Sequence, residues 1–274
     1  MRTVEWANGL TGVTGEPWTG VRYFCTWRAG GVSAAPWDSL NLGLHVGDDP
    51  AAVQENRARL RAGLPGDPLW LNQVHGTDVR EDPSSLRDDG AIQVACPADV
   101  GRVESRSADA VPCADAAATM RRGRPLAIMT ADCLPVVLAD EEGTVLGVAH
   151  AGWRGLAAGV LENTLSAMRR QAPQASGWRA WIGPGIGPTA FEVGDDVRSA
   201  FVDGHSALAA YFSACQDSDR WLADLAGLAA WRLTQAGVGR VENSGECTYR
   251  QADRYFSYRR QARTGRQATL AWLV

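Results

Sequence analysis

Apolar residues in this chain come in short alternating or continuous runs separated by turn residues, the pattern of strands, with a few stretches at helical spacing. VRYFCTWR at 21–28 predicts a strand. Asp49 followed by Pro50 predicts a helix start, because Asp can accept a hydrogen bond from a first-turn N–H and Pro suits the first helical position; Val53, Leu60 and Leu64 supply an apolar side. LWLNQVHG at 69–76 alternates as a strand does, with Leu69 and Leu71 inward and His75 at its end. Across 125–149, strand-like runs are broken by a turn at DEEG. A helical pattern, LAAGVLENTLSAMRRQ, follows HAGWRG and stops before Pro173. WRAWIG at 178–183 predicts a strand, 219–237 an amphipathic helix, and YFSYRR and QATLAWLV two closing strands.

Residues 80–124 interleave acidic, small and turn-forming side chains and end near the RRGR cluster, which predicts a long surface insertion. Strands and helices mix without regular βαβ alternation, so the expected class is α+β with a mixed sheet. No Pro/Gly/Ser linker divides the chain and no fixed period repeats, so one domain is expected across residues 1–274.

Composition narrows the chemistry. With 45% hydrophobic residues in 274, a sizeable core is expected. A net charge of -4 gives no overall attraction to nucleic acid. No run approaches the about 18 apolar residues of a membrane span, and the first twenty residues do not read as a secretory signal, so a cytoplasmic location is expected. All 27 basic residues are arginine. A Schiff-base lysine, a pyridoxal phosphate anchor and a P-loop lysine are therefore excluded. The six cysteines form no CxxC pair, so neither a zinc knuckle nor a disulfide framework is expected, and any metal site must gather residues distant in sequence.

The DEEG hairpin carries the most specific inference. With Asp140 opposite Gly143, paired positions place Cys133 opposite His150, a spacing at which a thiolate and an imidazole can share one metal ion. A three-residue loop would slip that register by one, and Pro135 points to irregular pairing. His75 is the best third ligand, and a His–Cys–His set with one open position is the pattern of a catalytic zinc site. The same pair equally allows a metal-free Cys133 nucleophile activated by His150.

The strings NLGLHVGD, ENR, LNQVHGTDV, TADCLPVVLAD, AHAGWRG, WIGPGIGP, FEVGDDV, CTY and FSYRR with TGR resemble, in order and over about residues 20–274, the bacterial YfiH family. That family is also called the laccase-domain, polyphenol oxidase or purine nucleoside phosphorylase family. The resemblance implies a four-layer α/β/β/α sandwich with zinc on His75, Cys133 and His150. It also implies small-molecule substrates: phosphate with adenosine, inosine or methylthioadenosine for phosphorolysis, and adenosine for deamination. The long 80–124 segment departs from the family pattern.

Around that centre, several residues have two readings each. Asp132 adjoins Cys133 and either orients a ligand or accepts a proton, or else makes a turn hydrogen bond. Arg154, at the start of the helix after His150, either holds phosphate together with backbone N–H groups or forms a structural ion pair. Asn41, Arg57 and Arg259 are candidates for substrate or phosphate binding, set against structural roles. A copper polyphenol oxidase is the alternative function. Multicopper chemistry calls for many imidazoles, and the chain has four histidines, no HxH pair and no methionine that stands out as an axial ligand.

Overall fold

Alternation along the strands separates two sheets and their coverings. In the computed structural model, which describes residues 1–6, 8–82, 111–216 and 218–274, an antiparallel sheet has the order β1 (Arg2–Glu5), β2 (Thr11–Thr14), β3 (Val21–Thr26), β14 (Gln267–Leu273) and β6 (Leu126–Thr130), numbered along the chain. The second sheet has the order β13 (Arg240–Asn243), β9 (Trp178–Ile182), β7 (Leu134–Asp140), β8 (Leu146–Ala151), β5 (Ala116–Thr119) and β4 (Val79–Asp82). It is mixed: its two outer pairs are parallel and its inner pairs antiparallel. A small sheet of β10 (Glu192–Val193), β12 (Trp221–Ala223) and β11 (Phe212–Ala214) stands apart from both.

Three cores follow from these faces. Val137, Val148 and Trp181 of the mixed sheet meet Tyr23, Ile128 and Leu273 of the antiparallel one. Trp181 is fully buried there, its ring 5.2 Å from that of Tyr23. On the outer face of the mixed sheet, Leu134, Val136 and Leu138 pack against α2 (Trp153–Ala158), α3 (Val160–Gln171), α4 (Asp195–Val202) and α5 (Leu225–Gln235). On the outer face of the antiparallel sheet, Phe24, Ala127 and Leu270 pack against Leu60 of α1 (Pro50–Arg61). The result is a four-layer α/β/β/α arrangement, and each buried Leu or Val contributes about 1.5–3 kcal/mol. Among the described residues no helix is long and apolar enough to cross a membrane.

Several elements differ from the sequence expectation. LWLNQVHG is not a strand of one sheet: Leu69 bridges Leu126 and Asn72 bridges Cys113, so this extended segment stitches the edges of both sheets while Leu71 fills the core between them. The helix expected after HAGWRG breaks at Gly159, whose φ of 101° caps α2 before α3 begins. The segment 219–237 divides into β12 and α5, with the Asp224 side chain capping the helix. YFSYRR is a turn, not a strand. Of the segment expected as a surface insertion, 80–82 lie in β4 and 116–119 in β5, because small side chains such as Ala116 and Ala118 sit fully buried in the helix-side core; residues 83–110 lie outside the described residues. Cys113, expected as a thiol, is disulfide-bonded.

The hairpin register also differs. Pro135 pairs with His150 and Leu134 with Ala151, a shift of two positions from the expected alignment. The reason is Asp140. It is buried and accepts hydrogen bonds from Thr144 N, Thr144 Oγ1 and Val145 N at 2.7, 2.7 and 3.0 Å, holding a longer loop than DEEG suggests. A shift of two keeps every residue on its face. Cys133 and His150 therefore stay on the same side of the sheet, offset along it. We expect Asp140→Ala to destabilise the fold by about 2–3 kcal/mol, since it removes the bonds to Thr144 and leaves the buried Val145 N–H unpaired; a lower urea midpoint at unchanged slope checks this.

Candidate metal centre

Asp115, immediately before β5, organises the site. Its carboxylate accepts hydrogen bonds from the backbone N–H groups of Val74, His75 and Gly76 at 3.1, 2.9 and 2.7 Å, and lies 2.8 Å from His150 Nδ1. Its own carbonyl accepts from His150 N at 2.7 Å. Three consecutive N–H groups can converge on one carboxylate only if the backbone curls into a nest, and His75 does so with φ at 61°, the left-handed region. Burial pushes the Asp115 carboxyl up, but the bond and charge of His150 and the Gly76 and Val74 amides outweigh it and hold it below its usual range.

His150 is buried on β8. A neutral His150 donating from Nδ1 to Asp115 leaves its Nε2 lone pair free for a metal. Cys133 follows Asp132, which has φ at 98° and accepts from Ile186 N through its carbonyl. His75 Nε2 lies 3.7 Å from Cys133 Sγ, and the donor atoms of His75, Cys133 and His150 are all within 4.8 Å of one another. Across a tetrahedral zinc, the N···S separation is about 3.6 Å. The histidine rings meet at 4.7 Å between centroids. Two imidazoles and a thiolate, one imidazole fixed from behind by a carboxylate, fit a zinc ion.

Glycine makes the approach possible. A Cβ on Gly152 would come 2.8 Å from His75 Cδ2 and 3.0 Å from Cys133 Sγ, and one on Gly155 would come 2.7 Å from the Gly76 carbonyl. Any side chain at Gly152 would therefore invade the donor set. Without metal, burial pushes the Cys133 thiol up, but His150 and His75 more than reverse this and bring it down to about 6. Burial likewise pushes His150 down, and Cys133 and Asp115 bring it up to about 9. Each group thus favours the charged form of the other.

The remaining sequence candidates fall into two groups. Asp132 has both carboxylate oxygens occupied, by Thr248 Oγ1 at 2.7 Å and Arg259 N at 2.6 Å, so it ties three segments together and touches neither ligand histidine. Asn41 is fully buried, and its amide bonds Gly43, Asp48 and Arg266 N. Arg154 is exposed and stacks on Trp153 at 4.4 Å, on a helix of only six residues. Arg259 donates to the Glu192 carbonyl at 2.9 Å. Arg57, in contrast, lies over Trp70 at 4.1 Å and donates to Leu42 O at 2.9 Å, beside the segment that carries His45. Cys247 accepts from Gly187 N at 3.2 Å, fastening the GPGIGP loop to CTY. Asp115 carries no motif in the sequence, and Arg266 stands in the TGR string without a role assigned to it there. Asp115 lies in the unpatterned stretch, and only the A-D-A context of small buried residues marked it.

The fold and donor set define the class: a four-layer α/β/β/α protein with, among the described residues, one His–Cys–His group. The chain belongs to the multi-copper polyphenol oxidoreductase laccase family, whose model matches residues 22–274. It is 46% identical to a purine nucleoside phosphorylase of Pseudomonas aeruginosa over 92% of this chain and 93% of that protein. It is 44% identical to the purine nucleoside phosphorylase YfiH of Escherichia coli, covering 93% and 95%. Among solved structures, Neisseria meningitidis protein NMB0706 is 41% identical with a TM-score of 0.77, covering 93% and 94%. YfiH of Bacillus licheniformis superposes at 0.81 with 27% identity, covering 99% of each chain.

Two outcomes are expected here. Asp115→Asn should weaken zinc binding about 10–100-fold, measured by chelator competition, because the group orienting His150 loses its charge. Zinc uptake at pH 7.5 should release about one proton. His150, with its pKa raised to about 9, must shed one, while Cys133, lowered to about 6, has already done so. Above pH 9 the release should fall toward zero, as calorimetry in buffers of different ionisation enthalpy will read.

Proposed function

We propose that residues 1–274 form one catalytic domain, a zinc-dependent purine nucleoside phosphorylase for adenosine, inosine and methylthioadenosine that also deaminates adenosine. The observation that carries this reading is the His75–Cys133–His150 set, with His150 braced by Asp115 and His75 open to solvent. Three protein donors leave one tetrahedral position for a reacting molecule. Bound zinc would supply a Lewis acid there, polarising a substrate atom. The chain's own residues hold the geometry. Asp115 fixes the tautomer of His150, the His75 nest sets the height of the second imidazole, and the Asp132 turn presents the thiolate. The names of the relatives support a purine nucleoside as the substrate.

The family description suggests copper chemistry on phenols, but the ligand count opposes it. Of four histidines, two are in the centre, His45 lies among arginines, and His205 packs on Trp231 at 5.2 Å. One His–Cys–His site is too few imidazoles for a multicopper cluster. A second reading has a specific observation behind it. Cys133, His150 and Asp115 form a thiolate–imidazole–carboxylate series, the arrangement of a cysteine hydrolase.

Elemental analysis of protein purified without a metal-affinity tag separates these readings. We expect about one zinc per chain, lost in Cys133→Ala together with phosphorolysis and deamination. Full activity in metal-free protein would favour the hydrolase, and rapid phenol oxidation without copper would overturn the phosphorylase assignment.

A further inference from the structure

Among the described residues, two guanidinium groups beside the candidate metal centre make no direct ion pair. Arg57 comes from α1 and Arg266 from the position before β14, and both are fastened to the segment 41–45. Arg57 Nε donates to Leu42 O at 2.9 Å, Arg266 N donates to Asn41 Oδ1 at 2.9 Å, and Leu42 N donates to Arg266 O at 3.1 Å. A Cβ on Gly43 would lie 2.9 Å from Arg266 Cγ and 3.4 Å from His45 Cε1, so His45 belongs to the same group.

The strand that leads to Cys133 runs alongside. Met129 of β6 lies 3.7 Å from Arg57 Nη2 through its sulfur, and Thr130 pairs with Gln267, which puts Arg266 level with the chain just before Asp132 and Cys133. Arg266 is within electrostatic reach of Cys133, Asp132 and Tyr258, and His45 within reach of Arg266, Arg57 and His150.

Among the described residues neither arginine makes an ion pair, whereas Arg59, Arg61, Arg170 and Arg232 do. Asp132, the nearest carboxylate in sequence to the centre, is spent on Thr248 and Arg259. Arg57 Nη1 and Arg266 Nε and Nη2 have no protein acceptor among the described residues. Guanidinium groups stay charged, and partly buried ones that make no direct ion pair keep N–H donors that an anion can take up. His45, exposed beside the two arginines, adds an imidazole to the group.

We propose that Arg57 and Arg266, with His45, form an oxyanion site next to the His75–Cys133–His150 centre and hold inorganic phosphate for attack on the nucleoside. The proposal rests on the phosphorylase reading. A phosphate oxygen forms the bond to ribose C1′ as the bond from C1′ to the purine nitrogen breaks. The electron pair leaves with the base and the proton of hydrogenphosphate ends on it, giving ribose 1-phosphate and free purine. The site replaces the anion position expected at Arg154, whose six-residue helix and exposed, stacked guanidinium offer no enclosure.

The test uses zinc-replete protein and equilibrium dialysis with labelled inorganic phosphate, with adenosine 5′-monophosphate as a separate ligand. Arg57→Gln and Arg266→Gln should each weaken phosphate binding about 10–100-fold and raise the phosphate KM correspondingly, with zinc content unchanged. Should Arg266→Gln fail to fold, Arg57→Gln carries the test alone. Unchanged phosphate affinity in the folded variants, loss of zinc together with phosphate, or a loss confined to Arg154→Ala would each overturn the site. Binding of the nucleotide but not of inorganic phosphate would overturn free phosphate as its occupant. Arginine-dependent phosphate binding without phosphorolysis of any purine nucleoside would retain the site and remove the proposed function. Phosphorolysis with a normal phosphate KM in both variants would do the reverse.

Discussion

The buried carboxylate of Asp115 is the interaction on which the centre depends. A carboxylate removed from water needs several donors, and here three backbone N–H groups and one imidazole supply them. Each donor belongs to a piece of the site. The amides are those of the loop carrying His75, and the imidazole is His150 itself. Satisfying one buried charge therefore sets two ligands at once and couples β5, β8 and the segment that joins the two sheets. The left-handed backbone of His75, costing on the order of 1 kcal/mol, is the local expense of curling those amides around the carboxylate.

Close packing does the rest. Gly152 and Gly155 let the strand-to-helix turn after His150 press against His75, Cys133 and the Gly76 carbonyl, so the donor set has a backbone wall on one side. Behind it, Leu134, Val136, Ala149 and Ala151 anchor the same strands in the helix-side core. The centre is thus built on strand ends held by a packed sheet, with His75 exposed, Cys133 partly exposed and His150 buried. Charge is graded across it, from the carboxylate of Asp115 behind, through the thiolate, to the guanidinium groups of Arg57 and Arg266 beside it.

Two names attach to the relatives of this chain, a laccase and a purine nucleoside phosphorylase, and they ask different things of a protein. A multicopper oxidase needs imidazoles in number, and a phosphorylase needs a place for an anion beside its nucleoside. Four histidines, two of them in the centre, and an arginine pair that makes no direct ion pair among the described residues suit the second demand better.

Much of this was legible in the residues. Strand patterning marked β3, β9 and β14, Asp49–Pro50 marked α1, and the family resemblance carried by TADC and AHAGWRG named His75, Cys133 and His150. These signals are local: a period, a cap, a motif. The sequence did not determine the hairpin register, because Asp140 decides the loop through bonds to Thr144 and Val145 that no turn statistic records. Nor did it determine which polar residues serve the centre. Asp132 bonds Thr248 and Asn41 bonds Arg266 N, while Asp115, from an unpatterned stretch, bonds His150, and Arg266, the last residue of TGR, lies within electrostatic reach of Cys133. Which donor meets which acceptor across forty or two hundred residues is set by how layers stack, and only the tertiary structure brings those partners within a hydrogen bond of one another.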